Sequence, residues 1–449
     1  MLVALGGEKR CVGNGVGCRI AMMERGTHIR EHRQFRGNDK EQLGLEVLSR
    51  IRVCNGRVAL PNFGRMLSSI TRSLAIHCSL LVFVSVAAAI AATPPATNSA
   101  PARRIGPAFL RSPEILSDGR VTFRLRTTNA TQVSVQGQWT GEQLPMSQDT
   151  QGVWSVTAPK VEPGVWEYSF VMNGFQMIDP VNPVIKPMRE PRTSILHVAG
   201  KPPLIHDFQE VPHGIVHQHT YFSKVLGRQR EFAVYTPPGY DASRSARFPT
   251  LYLQHGFGDN QATWTAHGKA HWILDNLIAQ RKARPMVIVM MDGHAIPPTD
   301  TPPMSSTNSI GFERDLLEEV LPRSEAMYRL KASPAHRALV GLSMGGEQSL
   351  RIGLNHTEQF SWVGGFSAAT PSKESIAKVL ENASAVNQKL KLLWIACGKD
   401  DFLLQRNEEF IALLKANTIR HEWRLTEGNH SWPVWRVYLA ELAPKLFQP

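Results

Sequence analysis

Residues 337–348 read RALVGLSMGGEQ, and this stretch constrains the fold more than any other part of the sequence. A short apolar run at 338–340 leads into GLSMGG at 341–346 and then into residues that can open a helix. In a G-x-S-x-G turn after a strand, small residues flank the serine because strand and helix pass close together, and the serine hydroxyl is exposed at the carboxyl edge of the sheet. The stretch therefore predicts a buried strand, a tight turn carrying Ser343, and a helix.

The chain around this turn alternates between strand-like and helical runs from about residue 217 onward. The strand-like runs are 232–236, 250–254, 286–291, 337–341, 392–397 and 421–425, and the helical runs are 272–279 and 312–327. Such alternation is typical of a mostly parallel sheet covered by helices on both faces. Residues 201–449 are therefore predicted to form an α/β domain.

The region from 106 to 200 has a different pattern. Short alternating strands are predicted at 121–125, 132–135, 153–156 and 166–171, and the dipeptides Asp118-Gly119 and Asn173-Gly174 are typical hairpin turns. No helical run interrupts them. The pattern predicts a small all-β sandwich in front of the α/β domain.

Residues 66–92, MLSSITRSLAIHCSLLVFVSVAAAIAA, have the organisation of a secretory signal peptide. Met66 can serve as a start, Arg72 supplies the positive region, an apolar core extends to Val86, and Ala-Ile-Ala follows at 89–91. We therefore expect a secreted or periplasmic protein that keeps no stable membrane anchor once the signal is removed.

This assignment has consequences for the residues on either side. Residues 1–65 show no sustained hydrophobic period and are expected to be disordered or not part of the natural protein, and residues 93–105 are expected to be a Pro/Ala-rich linker. The alternative hypothesis keeps Met1 as the start and makes residues 74–92 a membrane anchor.

The formal net charge of +12 would by itself suggest an acidic partner, but this charge is unevenly distributed along the chain. Residues 1–65 hold 12 Lys and Arg against 6 Asp and Glu, which is half of the net charge. The remainder contains no basic run. We therefore expect no nucleic-acid partner.

The cysteines are concentrated at the front of the chain. Four of the five precede residue 93, so no disulfide is expected inside the folded body. Cys11 and Cys18 lack the CxxC spacing and the neighbouring ligands of a zinc site. The sequence therefore predicts neither a disulfide framework nor a metal centre.

A serine at its ordinary pKa is a poor nucleophile, so a base and an orienting acid should follow Ser343 in chain order. The buried run 392–397 leads to Gly398-Lys399-Asp400-Asp401, and spacing alone does not separate the two carboxylates. The last strand is followed by a Gly-containing loop that carries His430. We expect His430 as the base, ahead of His421, which begins a strand, where a histidine is usually solvated or hydrogen-bonded.

An oxyanion formed by attack of Ser343 would need backbone N–H donors. Met344 follows the serine, and Phe257 lies in the sequence Gln254-His255-Gly256-Phe257-Gly258 at the end of an early strand. Both are predicted donors. Candidate residues for the substrate pocket are Trp264, His294 and Trp432.

These motifs together resemble the esterase D superfamily, in the branch of feruloyl and acetylxylan esterases of carbohydrate esterase family one. The resemblance rests on HGFG at 255–258, GLSMGG at 341–346, CGKDD at 397–401 and GNHSWPVW at 428–435. It implies an α/β-hydrolase fold, serine esterase activity on a small-molecule or polysaccharide ester, and no cofactor or metal. The family's acid is the third residue after the glycine, which implies Asp401.

The front domain resembles the early-set Ig-like domains related to glycogen-binding modules. The resemblance rests on GQW at 137–139, GVW at 152–154, EPGVWEYSF at 162–170 and NG at 173–174. Ser169 stands where glycan binders of this type tend to carry a lysine. Two roles for the domain therefore stay open, glycan binding and packing or positioning.

Three functional hypotheses follow. The first is a secreted esterase that deacylates plant polysaccharide. The second is a siderophore esterase of the enterochelin type, which shares the serine turn and a front sandwich domain. The third, from another class, is a non-catalytic binding protein on the same fold. The sequence does not specify the oligomeric state.

Overall fold

A computed structural model of the protein describes residues 109–242, 245–297 and 305–448. The predicted N-terminal extension (1–65), signal peptide (66–92) and linker (93–105) lie outside these described residues. Within the described ranges, no helix is both long and apolar enough to cross a bilayer.

The front domain is a β-sandwich. Its strands are β1 (Glu114–Ile115), β2 (Val121–Arg126), β3 (Val133–Gly137), β4 (Gln143–Pro145), β5 (Ser147–Gln148), β6 (Val153–Ala158), β7 (Gly164–Met172), β8 (Phe175–Met177) and β9 (Ser194–Val198). One sheet has the order β1-β2-β6-β5 and the other β4-β3-β7-β8, with β9 paired to β7. Alternate side chains such as Val121, Phe123, Val135 and Phe170 are fully buried between the sheets, so the two inner faces form the core.

The second domain is built on one eight-stranded sheet. Its strands are β10 (Ile215–Ser223), β11 (Arg228–Thr236), β12 (Thr250–Gln254), β13 (Val287–Met291), β14 (Arg337–Leu342), β15 (Trp362–Phe366), β16 (Leu392–Gly398) and β17 (Glu422–Thr426). The order is β10-β11-β13-β12-β14-β15-β16-β17, in which β11 is antiparallel to both of its neighbours, β10 and β13, and all the other neighbouring pairs are parallel. The predicted α/β-hydrolase architecture with a mostly parallel sheet is confirmed.

Helices cover both faces of this sheet. They are α1 (Thr263–Ala266), α2 (Ala270–Ala279), α3 (Ser306–Asp315), α4 (Leu321–Met327), α5 (Ser343–Asn355), α6 (Ala377–Glu381), α7 (Ala383–Lys389), α8 (Leu404–Ala416) and α9 (Trp432–Leu442). Along β11, Val234 contributes to the apolar core on one face, and its neighbours Ala233 and Tyr235 contribute to the core on the other. Two buried faces explain why the strands read as continuous apolar runs.

The structure adds several elements that the sequence patterns did not predict, and two differences lie within the α/β domain close to the site. The helix predicted at 312–327 begins earlier, at Ser306, and a π-helical turn (Leu316–Val320) joins α3 to α4. The strand β15 (Trp362–Phe366) was not predicted, because its two central glycines weaken the strand pattern. The parallel strands β12, β14, β16 and β17 all end at the same edge of the sheet, and the loops that follow them meet there.

Candidate active site

Ser343 lies in the tight turn between β14 and α5. Its φ of 51° is in the left-handed region, which is strained for a residue with a side chain. A Cβ on Gly341 would lie 2.2 Å from the Gly345 carbonyl oxygen, and a Cβ on Gly345 would lie 2.2 Å from the His255 carbonyl oxygen. The glycines are therefore required by the close approach of strand, helix and the loop after β12, and this packing holds the serine at the sheet edge.

The side chains of Ser343, His430 and Asp401 form one hydrogen-bonded chain. The Ser343 hydroxyl lies 3.0 Å from His430 Nε2, and His430 Nδ1 lies 2.9 and 3.0 Å from the two carboxylate oxygens of Asp401. The neighbouring Asp400 is exposed to solvent. The geometry therefore pairs the imidazole with Asp401 and not with Asp400.

Asp401 is the buried end of this series of hydrogen bonds, and its side chain is 0% exposed. Burial acts to raise the pKa of Asp401, but hydrogen bonds from His430, from the Ser367 hydroxyl and from the Leu403 N–H, which donates at 2.8 Å, together hold that pKa below its ordinary value. The carboxylate is therefore ionised at neutral pH. It favours the tautomer with a proton on His430 Nδ1, which leaves the Nε2 lone pair facing Ser343.

The two predicted oxyanion donors lie on elements that flank the serine. Met344 is in the first turn of α5, where an N–H has no acceptor within the helix. Phe257 lies in the loop between β12 and α1, which we call the oxyanion loop (residues 256–259). Gly258 in this loop has a φ of +82° and donates its N–H to His294 Nε2 at 3.1 Å. The backbone segments that carry the two predicted donors are therefore held in place, one by helix α5 and the other by the hydrogen bond to His294.

A cavity of about 370 Å³ opens beside Ser343. Its lining from the α/β domain includes Gly256, Phe257, Asp259, Leu342, Ser343, Ala369, Phe402, Leu403, Arg406, His430, Ser431, Trp432 and Trp435. Trp432, predicted for the pocket, is on this wall. Ala369 and Arg406 also line a neighbouring cavity of about 480 Å³ that is rich in hydroxyl groups, from Ser306, Ser309, Thr370, Ser372 and Ser375.

The structure corrects two of the pocket predictions. Trp264 and His294 are each 1% exposed and are not among the residues that line the cavity. Trp264 donates its indole N–H to the Gln254 carbonyl oxygen at 3.0 Å and packs edge-on against Trp432, with ring centroids 4.9 Å apart. It therefore supports the pocket wall from behind.

His294 also lies behind the cavity, under the oxyanion loop. Burial, with a smaller contribution from the charge of His255, lowers the pKa of His294 to about 3. The ring is therefore neutral at physiological pH, and its Nε2 lone pair can accept the Gly258 N–H. His294 orients the loop and has no access to a substrate.

Several residues of the site were not predicted from the sequence. Phe402 and Trp435 flank the His430 ring, with centroids 4.4 and 4.9 Å away. Gln138, Glu167 and Lys186 reach the same cavity from the front sandwich. No spacing rule could have found these three, because they come from another domain and are placed by domain packing alone.

This arrangement can deprotonate a hydroxyl and transfer its proton. His430 can accept the Ser343 proton while Asp401 compensates the positive charge that forms on the ring. Within the described ranges, no cluster of three or more His, Cys, Asp or Glu side chains could hold a metal ion.

Comparison with protein families gives two matches along the chain. Residues 223–446 match the family described as "Putative esterase", and residues 110–188 match carbohydrate-binding module 48, the isoamylase N-terminal domain. The two matches fall on the α/β domain and on the sandwich, respectively. The resemblance predicted from the sequence motifs is confirmed for both domains.

Individual relatives extend this comparison. An endo-1,4-beta-xylanase/feruloyl esterase of Xylanibacter ruminicola is 30% identical over 347 residues, which is 75% of this chain and 46% of the relative. This chain thus spans about half the length of that protein. An acetyl esterase of Caldicellulosiruptor saccharolyticus is 24% identical over 238 residues, which is 44% of this chain and 82% of the relative.

Among solved structures, the enterobactin esterase of Shigella flexneri, determined in the presence of enterobactin, has the same fold. It is 19% identical, covers 74% of this chain and 93% of its own, and superimposes with a TM-score of 0.52.

Proposed function

We propose that the protein is a secreted serine carboxylic-ester hydrolase, on the premise that residues 223–446 match the esterase family and residues 110–188 match carbohydrate-binding module 48. Its proposed substrates are feruloyl or acetyl esters of plant polysaccharide. The names of the two curated relatives, a xylanase/feruloyl esterase and an acetyl esterase, support this substrate class.

The observation that carries the proposal is the hydrogen-bonded chain from Ser343 through His430 to Asp401, with 3.0 Å between the serine oxygen and the imidazole nitrogen. In the proposed reaction His430 Nε2 takes the Ser343 proton as the serine oxygen attacks the ester carbonyl carbon. The negative charge on the carbonyl oxygen is stabilised by the N–H groups of Phe257 and Met344. His430 then gives its proton to the departing alcohol, and an acyl-enzyme forms.

Water completes the cycle by the same route. His430 takes a proton from water, the hydroxide adds to the acyl carbon, and the proton returns to the Ser343 oxygen as the acid is released. Asp401 keeps the imidazole oriented in both halves. No cofactor takes part in the proposed reaction.

The composition of the cavity supports an aromatic acyl group. Phe257, Phe402, Trp432 and Trp435 line it, and aromatic side chains bind flat rings through stacking and edge-to-face contacts. The adjoining hydroxyl-rich cavity offers hydrogen bonds of the kind a sugar alcohol needs. We therefore propose that the acyl group binds on the aromatic side and the sugar on the hydroxyl side.

The experiment that tests the proposal is a panel of p-nitrophenyl acetate, methyl ferulate, feruloylated arabinoxylan, acetylxylan and a catecholate triester, run with wild-type protein and Ser343→Ala. We expect hydrolysis of the aryl, feruloyl or acetyl esters, and its loss in Ser343→Ala with ligand binding retained. A preference for the catecholate triester would favour a siderophore esterase. Failure of the wild type to hydrolyse any ester would favour a non-catalytic binding protein.

Secretion is a separate part of the proposal, which rests on the signal-like residues 66–92. N-terminal sequencing of the natural protein should find a mature chain that begins shortly after residue 91. A mature chain that begins at Met1 would contradict it.

A further inference from the structure

We propose that the front sandwich positions the oxyanion loop, and that Lys186 is the positioning residue through which it acts. This inference rests on the proposed function, since the loop matters to catalysis only if an oxyanion forms beside Ser343. It assigns the sandwich a role in turnover that is independent of glycan binding. The contacts that carry it lie between residues 186–189 of the sandwich and the loop.

The first contact is a buried cluster of three charges. Lys186 Nζ lies 3.2 Å from Asp259 Oδ1, on the oxyanion loop, and 3.1 Å from Glu167 Oε1, on β7. The Lys186, Asp259 and Glu167 side chains are 9%, 5% and 17% exposed. Charges this deeply buried must stay paired, because an isolated one would lose its hydration without compensation. The position of Asp259 is therefore tied to a lysine of the other domain.

Further contacts extend this connection to Gly258 and to the start of α1. The Arg189 N–H donates to the Gly258 carbonyl oxygen at 2.9 Å, and Met188 forms a β-bridge with Asp259. The Thr263 hydroxyl, at the start of α1, donates to the Pro187 carbonyl oxygen at 2.7 Å. Each residue of the sandwich segment thus contacts the loop or the helix that follows it.

These contacts hold the part of the loop that presents the predicted donor. Gly258 is fixed on two sides, since its N–H is bound by His294 and its carbonyl oxygen by Arg189. The Phe257 N–H shares a peptide group with the Gly256 carbonyl, which accepts the Asp259 N–H at 3.3 Å, so the anchors on Gly258 and Asp259 act on the Phe257 amide through this turn. Donors stabilise an oxyanion only when they lie about 2.7–3.1 Å from it. Loss of one anchor should therefore lower the rate of the chemical step more than the affinity for substrate.

The test uses the full-length protein and p-nitrophenyl acetate, an ester too small to need a glycan-binding surface. We expect Lys186→Met to lower kcat by about 10- to 100-fold while KM stays close to the wild-type value. Lys186→Arg keeps the charge and should recover most of kcat. Arg124→Met is the matched control, because Arg124 pairs with Glu114 at 2.7 Å within the sandwich, and it should leave kcat unchanged.

Amide hydrogen exchange supplies a readout that does not depend on turnover. Peptides covering residues 256–262 should exchange faster in Lys186→Met than in wild type or Arg124→Met. If the wild type hydrolyses no ester, the proposed function fails, and the exchange measurement still tests the contact between the domains. A folded Lys186→Met protein with wild-type kcat and wild-type exchange in this peptide would overturn the inference.

A second variant covers the case in which Lys186→Met does not fold. Thr263→Val removes the hydrogen bond to Pro187 and also the acceptor of the Asn260 N–H at 3.1 Å, and it keeps the shape of the side chain, so only the exchange of residues 256–259 reports on the contact between the domains. We expect faster exchange in residues 256–259 and a lower kcat. Wild-type values of both in this variant would also overturn the inference.

Discussion

The imidazole Nε2 of His430 lies 3.0 Å from the hydroxyl oxygen of Ser343, although 87 residues separate the two in the chain. The contact exists because β14 and β17 end at the same edge of the parallel sheet, each followed by a loop or turn that carries one of these side chains. Asp401, from the loop after β16, reaches the opposite nitrogen of the same ring.

This relationship predicts a large effect for Asp401→Asn. We expect kcat to fall by about 10⁴-fold, because an amide can favour the wrong imidazole tautomer and cannot compensate its positive charge. The measurement is steady-state hydrolysis of p-nitrophenyl acetate. Asp400→Asn is the matched control, since Asp400 is exposed and should be replaceable without loss of kcat. Equal losses in the two variants would contradict the assignment of Asp401.

The Phe402 ring predicts selectivity between acyl groups. It is 76% exposed and lies 4.4 Å from the His430 ring at the cavity wall. We expect Phe402→Ala to raise KM for methyl ferulate by roughly 2- to 10-fold, which corresponds to a ring contact of about 0.5–1.5 kcal/mol. KM for p-nitrophenyl acetate should change less.

The control for this prediction is Phe175→Ala. Phe175 is 77% exposed and lies on β8 of the sandwich. Its replacement should leave both KM values unchanged. An equal rise of both KM values in Phe402→Ala would argue against an aromatic acyl site on this wall.

Gly345 predicts a stability effect. Its added Cβ would lie 2.2 Å from the His255 carbonyl oxygen, which belongs to the backbone and cannot rotate away. We expect Gly345→Ala to lower the free energy of unfolding by about 1–3 kcal/mol, measured by urea denaturation. Gly141→Ala should change it little, because nothing lies within 4 Å of the added Cβ there. Equal stability of the two variants would show that the turn relaxes around the methyl group.

The contact between Glu313 and His356 predicts how stability depends on pH. Glu313 on α3 accepts hydrogen bonds from His356 and Arg351 that outweigh burial and lower the pKa of its carboxyl to about 2, and the contact with Glu313 raises the pKa of His356. The lowered pKa of Glu313 stabilises the fold above its ordinary value of 4.5, and this stabilisation is lost as the pH falls towards 2. The raised pKa of His356 stabilises the fold fully below 6.5, and this stabilisation is lost as the pH rises through the folded-state pKa.

The pair should therefore contribute most between about pH 4.5 and 6.5. The free energy of unfolding of the wild type should fall between pH 6 and pH 8 as His356 loses its proton. We expect a smaller fall in His356→Gln, measured by urea denaturation at each pH. His421→Gln is the control, because His421 contacts the Ile419 carbonyl oxygen and no carboxylate. If His356→Gln has the same pH dependence of the unfolding free energy as the wild type, the Glu313–His356 pair is not the cause of that dependence.

Much of the fold could be predicted because local patterns and tertiary burial agree. The strand β12 (Thr250–Gln254) has the bounds that its apolar run predicts. The strand β15 was missed because Gly364 and Gly365 give it no local strand preference. The reason for Gly365 is tertiary, since a Cβ there would lie 2.8 Å from the Leu350 side chain of α5.

The candidate site likewise has residues that sequence patterns predict and residues that only tertiary packing places. Ser343, Asp401 and His430 each follow a predicted strand, so sheet topology alone suggests that they meet. Trp264 and His294 were predicted to line the pocket, but the structure buries both behind its wall. The sequence does not specify the direction in which these side chains point, because that depends on packing against distant elements.

The sequence by itself determined the order of the strands along the chain, the tight turn at Ser343 and the chemistry available at one sheet edge. These features follow from local sterics and from periodic burial, which act over a few residues. Residue spacing left Asp400 and Asp401 open, and the tertiary structure shows that Asp401, which the family resemblance implied, faces His430. Only the tertiary structure decided that Lys186 of the sandwich lies against Asp259 of the α/β domain. Those contacts depend on how whole layers and domains pack, and no short stretch of sequence contains that information.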